Sequence, residues 1–153
     1  MLDSVINDPK FVSLMQKHIE ELLIHFFEKE QNYGILCKIE DVSFNPMLPE
    51  SINTEFRPLT LFFLAGYTFE TAHIQDDFLI FEAGFGPENF GSVVSVPLLS
   101  IMQIIIDETP VFINLASYKK ETTTPTKALN KNGVKNSMDS FLSNPENSKF
   151  LKK

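Results

Sequence analysis

Tryptophan is absent from this chain of 153 residues, cysteine occurs once and histidine three times. Each scarcity excludes some chemistry. A lone Cys37 forms no internal disulfide, which points to a reducing, cytoplasmic setting. No apolar run reaches the ~18 residues that a membrane-spanning helix needs, so no membrane partner is expected. The opening "MLDSVINDPK" lacks a basic start followed by an apolar stretch, so it does not read as a secretory signal. His18 and His25 lie seven positions apart on a predicted helix, too far for one shared metal ion, which takes partners three or four apart. His73 stands alone. Asp76 and Asp77 are adjacent, so on a strand their carboxylates diverge; a hairpin turn explains them better than an acid–base pair. Phosphate loop, nucleophile elbow and zinc spacing are all missing. Gly84, Gly86 and Gly91 fit hairpin positions better than a phosphate cradle. The residues thus predict a binding module with no catalytic residue, no metal and no cofactor. A small enzyme would need convergent polar groups in an apolar pocket, and the sequence shows no such set.

What the chain does contain is phenylalanine, 15 residues of it, within a 43% hydrophobic composition. That is enough for one domain with a real core. Charge is divided unevenly. From Tyr118 to Lys153 eight lysines face three acidic residues, a local charge of +5; residues 1–117 hold five basic and 17 acidic residues, a charge of −12. An acidic body opposes phosphate binding. The basic segment lacks arginine and has little aromatic interleaving, so nucleic acid is an unfavoured partner. A small RNA-binding module that uses this segment is the alternative reading.

Along the chain, Asp8-Pro9 reads as a helix start and "KFVSLMQKHIEELLIHFFEKE" as a helix to about Glu30. Phe11, Met15, Ile19, Leu22 and Phe26 form one stripe. Val12, Leu23, Ile24 and Phe27 widen it. Two readings stand: a helix shared between its own domain and a partner copy, or one buried deeply in a single domain. Asn32 and Gly34 are the predicted stop. "ILCKIE" is a strand with Ile35, Cys37 and Ile39 on one face. Prolines 46, 49 and 58 punctuate a loop with one helical turn after Pro49. From Leu59 to Leu115, "LTLFFLAG", "TFETAHI", "FLIFEAGF", "SVVSV", "IMQIII" and "VFINLA" read as six short strands between turn signals. The predicted fold is α+β, mainly β: an antiparallel meander curled into a small barrel or two packed sheets. After Ser117 apolar residues become too sparse to offset ordering entropy. Residues 118–148 read as a flexible linker, and thirty such residues span about 30 Å. The closing "KFLKK" sets Phe150 and Leu151 between Lys149, Lys152 and Lys153.

Four stretches carry a resemblance. "LMQKHIEELLIHFFEKE" runs into "YGILCKIE"; "PESINTEFRPLTLFFLAG" is a proline-bounded loop entering a strand. "IQDDFLIFEAGFGPENFGSVVSVPLLSIMQIII" joins a turn, a Phe-containing strand, a glycine-bearing hairpin and a strand ending in Val-Pro. A polar linker then ends in a short apolar-basic peptide. This layout resembles the SspB family (stringent starvation protein B), adaptors that bring ssrA-tagged proteins to the ClpXP protease. It differs where the family often carries a basic residue after the strand that here continues "GPENFG". The resemblance implies an N-terminal helix followed by a Sm-like antiparallel β-barrel over residues 1–117, and a homodimer formed through the helix stripe. It implies a peptide groove around "FFLAGYTF" and "FLIFEAGF", with Leu64, Ala65, Gly66, Phe78, Phe81 and Phe85 as candidate lining. Barrel core is the competing reading for the three phenylalanines. Lys149, Phe150, Leu151, Lys152 and Lys153 become a docking peptide for the N-terminal domain of the ClpX unfoldase, on the far side of the linker.

Overall fold

A computed structural model describes residues 1–119; nearly all of the predicted linker and the whole of Lys149–Lys153 lie outside the described residues. The chain starts with a short helix α1 (Leu2–Ile6) that the sequence did not announce. Helix α2 (Pro9–Glu28) begins as its residues dictate. The Asp8 carboxylate accepts a hydrogen bond from the Lys10 N–H at 3.1 Å, and Pro9 occupies the first turn. Its end differs from expectation. Glu30, at φ 54, takes the left-handed position, and the N–H groups of Glu30 and Gln31 donate to the carbonyls of Phe27 and Phe26. Gly34 is not the stop. It sits within β1 (Tyr33–Lys38), where a Cβ would come within 3.1 Å of Leu61 Cδ1.

The remaining elements are β2 (Ser43–Asn45), α3 (Glu50–Asn53), β3 (Leu59–Leu64), α4 (Tyr67–Thr71), β4 (His73–Gln75), β5 (Phe78–Phe85), β6 (Phe90–Pro97), β7 (Ile101–Ile106) and β8 (Thr109–Ile113). Pro49 is followed by the expected helical turn. "TFETAHI" departs from its strand reading: most of it is α4, entered through Gly66 at φ 60. Phe69 explains the override, since from this turn its ring reaches Phe27 at 5.6 Å and Tyr33 at 6.3 Å. Asp76-Asp77 and Asp107-Glu108 take positive φ at both positions, the geometry of tight two-residue hairpins.

Two four-stranded antiparallel sheets result, ordered β3-β1-β7-β8 and β2-β6-β5-β4. The order is not that of a simple meander, because β1 lies between β3 and β7. Alternation decides which side chains meet between the sheets. Ile35, Cys37, Phe62, Leu64 and Ile104 from the first join Leu79, Phe81, Val94 and Val96 from the second in one buried cluster. The many phenylalanines form a connected ring network at one side of this core. Phe44 and Phe56 stack at 5.6 Å, Phe85 meets both edge-on, and Phe62 links them to Phe81 at 5.7 Å.

Helix α2 serves the same core. Ile19 and Leu23 have no exposed surface, Leu22, Phe26 and Phe27 pack against the cluster, and Phe11 and Met15 are half-buried. The stripe expected to meet a second copy is therefore largely committed to its own sheets. The exposed apolar residues of α1 and α2 are others: Leu2, Val5, Leu14 and Ile24. Among the described residues no helix is long and apolar enough to cross a membrane.

Two consequences are measurable. Leu23→Ala removes a fully covered side chain and should cost about 2–5 kcal/mol in chemical denaturation. Cys37, with its thiol donating to the Thr60 carbonyl at 3.6 Å, is buried, and that burial, with the charge of Asp41 adding, pushes its pKa from 9.0 to about 12. Between those values the unfolded chain loses the proton and the folded one keeps it. The contribution is complete below pH 9 and is lost as pH rises toward 12, at up to about 1.4 kcal/mol per pH unit. Thermal melts across that window should show the decline; Cys37→Val should remove its onset just above pH 9, while the Tyr33 phenol, also raised by burial from its ordinary 10.0, keeps a decline at higher pH.

Candidate functional site

β4 covers the edge of β5 only from Phe78 to Ile80. Beyond that point the backbone of β5 turns its hydrogen-bonding groups toward α4 instead of another strand. The Glu82 N–H donates to the Thr71 hydroxyl at 3.0 Å. By the two-residue period of a strand, the N–H of Gly84 points the same way. This half-open edge borders a cleft of about 770 Å³. One wall is the Ala65–Thr68 segment that leads β3 into α4. The floor is the outer face of β5 and β6, where Glu82 is opposite Val93 and Gly84 opposite Gly91. Asn45 and Pro46 close the far end.

The local geometry follows from small residues. A Cβ on Gly84 would stand 1.7 Å from Asn89 Oδ1, so the glycine is what lets the Asn89 amide lie across the strand. Gly91 meets nothing within 4 Å of an added Cβ, so the cleft is open above it. Polar groups are fixed around the wall. The Tyr67 hydroxyl donates to Glu82 Oε1 at 2.6 Å, and the Ser92 hydroxyl donates to the Pro46 carbonyl at 2.8 Å. The hydrogen bond to Glu82, and then that carboxylate's charge, hold the Tyr67 phenol above its ordinary value. Neither lysine nor arginine lines the cleft, and Glu82 is its one acidic side chain. The space suits an extended neutral or mildly basic segment that needs backbone partners.

Of the six candidate groove residues, Ala65 alone lines this cleft. Leu64 and Phe81 are corrected to core: Leu64 is fully covered, Phe81 is 1% exposed, and neither can touch a surface ligand. Phe85 faces inward, half-buried in the aromatic network. Phe78 lies half-buried at the start of β5, opposite Pro97. Gly66 is exposed but lines a different cleft, of about 850 Å³, with Glu20, Phe27, Glu70 and His73. Although larger, that cleft lies beside the helices and carries three carboxylates, with the short edge strand β4 contributing His73 and Ile74 to its lining. The sequence reading missed Tyr67, Glu82 and Gly91. Strand alternation was the signal for the second: with Phe81 and Phe85 turned to the core, Glu82 and Gly84 face out.

Chemically the cleft offers backbone and hydroxyl hydrogen bonding. Among the described residues no three His, Cys, Asp or Glu side chains are close enough to hold a metal ion. No protein-family model, curated protein or solved structure matches this chain.

Proposed function

We propose that this chain is a non-enzymatic cytoplasmic adaptor of the SspB type. It binds ssrA-type degradation tags in the cleft beside β5 and tethers the tagged protein to the ClpX unfoldase of ClpXP through Lys149–Lys153. The observation that supports this reading most is the half-open edge of β5 next to a small-residue floor. An extended peptide adds to such an edge by main-chain hydrogen bonds and draws specificity from the side chains it places on either side. Gly84 and Gly91 allow its backbone close approach. The cleft is bounded by parts of the same two stretches, "FFLAGYTF" and "FLIFEAGF", that carry the family resemblance. On this reading the two antiparallel sheets are an opened form of a Sm-like barrel.

Tethering supplies the mechanism. On this reading a linker of some thirty residues, with a typical end-to-end span of about 30 Å, keeps the cargo near the unfoldase. This raises the effective concentration of cargo at the unfoldase without any strong contact. Phe150 and Leu151 anchor the docking peptide, and the flanking lysines steer it to an acidic or polar surface. The acidic residue on the cleft floor has a corollary: tag positions beside Glu82 are neutral or basic, in keeping with the missing basic residue after β5.

A fluorescent ssrA-type peptide titrated into the full-length protein should bind saturably. Gly91→Val, whose added Cβ meets nothing within 4 Å, should leave the melting temperature nearly unchanged and weaken the peptide at least about tenfold, a loss of ~1.4 kcal/mol. Unchanged affinity in that variant would place the tag elsewhere. Removing residues 149–153 should leave peptide affinity intact and return ClpXP degradation of a tagged substrate to its unassisted rate. Continued stimulation by the truncated protein would sink the tethering step.

A further inference from the structure

Tag binding beside β5 leaves the larger cleft, of about 850 Å³, without a role. Its apolar lining comes from three elements: Ile24 and Phe27 of α2, Phe69 of α4 and Ile74 of β4. The rings are held from within. Fully covered Tyr33 packs against Phe27 and Phe69, with ring centroids 6.0 and 6.3 Å apart, so this floor is fixed before a ligand arrives. Ile24 is 42% exposed and open to contact. Three carboxylates share the lining from separate places: Glu20 on α2, Glu30 just beyond its end, and Glu70 on α4. Neither lysine nor arginine lines the space, and His73 is its basic side chain. Lastly, β4 is the outermost strand of its sheet. On its outer side no strand pairs with it among the described residues.

We infer that this cleft is a second peptide site, for an extended segment of a partner protein in which apolar side chains alternate with lysine or arginine. Charge selects the class of ligand. A cleft lined by carboxylates focuses its field and concentrates cations. Their spacing selects a row of charges over a point charge: among the described residues no three His, Cys, Asp or Glu side chains are close enough to hold a metal ion. The floor selects apolar groups between those cations, because a fully hydrated polycation would leave Ile24 and Phe27 facing water. The free side of β4 selects a peptide main chain. A strand added there turns alternate side chains to opposite sides, one set to the floor and the other to the carboxylates. With three residues β4 offers few main-chain bonds, so binding is modest and depends on charge. The tag cleft differs on each count: Glu82 is its one carboxylate, and glycines form much of its floor. Residues 65–70 divide the two spaces. Ala65, Tyr67 and Thr68 line the tag cleft, and Gly66, Phe69 and Glu70 line the acidic one.

Fluorescence anisotropy with the full-length protein tests the site. The probe is a dye-labelled, amidated Lys-Leu-Lys-Phe-Lys peptide, and its counterpart carries glutamate for each lysine. The probe should bind saturably and weaken at least about threefold as salt is raised to about 0.5 M, and the counterpart should not bind. Glu70→Lys and Ile24→Ser, both at exposed positions, should each weaken the probe at least about fivefold with an unchanged far-UV spectrum. Gly91→Val should bind it as the wild type does. The inference is overturned if the probe fails to bind, if the glutamate counterpart binds as well, or if either folded variant keeps wild-type affinity. Loss of binding in Gly91→Val would put the probe in the tag cleft and overturn it too. If removing residues 149–153 tightens the probe at least about tenfold, the chain's own basic segment is the occupant and the partner assignment falls. The probe is not a degradation tag, so this site and the tag cleft stand or fall separately.

Discussion

Burial between two sheets imposes a parity rule on the sequence. Each strand that enters the core must send every second side chain toward the opposite sheet. In β3 this selects Thr60, Phe62 and Leu64, and in β5 Leu79 and Phe81, with Ala83 and Phe85 following them to the same side. A shift of one residue would move each set to the other face. Helix α2 closes the same volume, with Ile19 and Leu23 as its fully covered contacts. Other features of the molecule are read against this parity, because whatever is not inward is available for another purpose.

The cleft is one such remainder. Its floor consists of the outward positions of β5 and β6, and its openness comes from the shortness of β4, which stops pairing at Ile80. Thr71 and Tyr67 then anchor α4 to Glu82 by two hydrogen bonds, fixing a wall against the edge. The wall is thus a by-product of where Phe69 inserts among Phe27 and Tyr33, a packing contact on the inner side. Core and site are mechanically joined through this short helix. Tyr33, whose hydroxyl is buried without a partner among these rings, marks how closely the aromatic junction is packed.

The outward remainder of the other sheet has a different character. There the parity rule yields leucine, phenylalanine, valine and isoleucine where solvent would select polar residues. The body's −12 charge is carried elsewhere, on helices, loops and hairpin turns.

Local chemistry made much of this legible in the sequence. The start of α2 at Asp8-Pro9, the turn after Pro49, the hairpins at Asp76-Asp77 and Asp107-Glu108, and the antiparallel strands with inward Ile35 and Cys37 all depend on neighbours within a few residues. So does the charge division at residue 118. The misreadings concern longer range. Gly34 looked like a helix stop, yet its small size serves a cross-strand contact with Leu61. "TFETAHI" has strand composition, yet an aromatic contact with α2 bends it into a helix. Leu64 read as groove lining, and Phe81 and Ile19 read equally as core or as binding surface, because hydrophobicity is the same signal for a core and for a surface anchor. Which of the two a side chain becomes is decided when distant strands meet and one parity is covered. Sequence alone determined helix α2, most of the strands and their hairpin turns, and the separation of acidic from basic charge along the chain. Tertiary structure decided which faces were spent on the core, and therefore which edge and which face were left outside it.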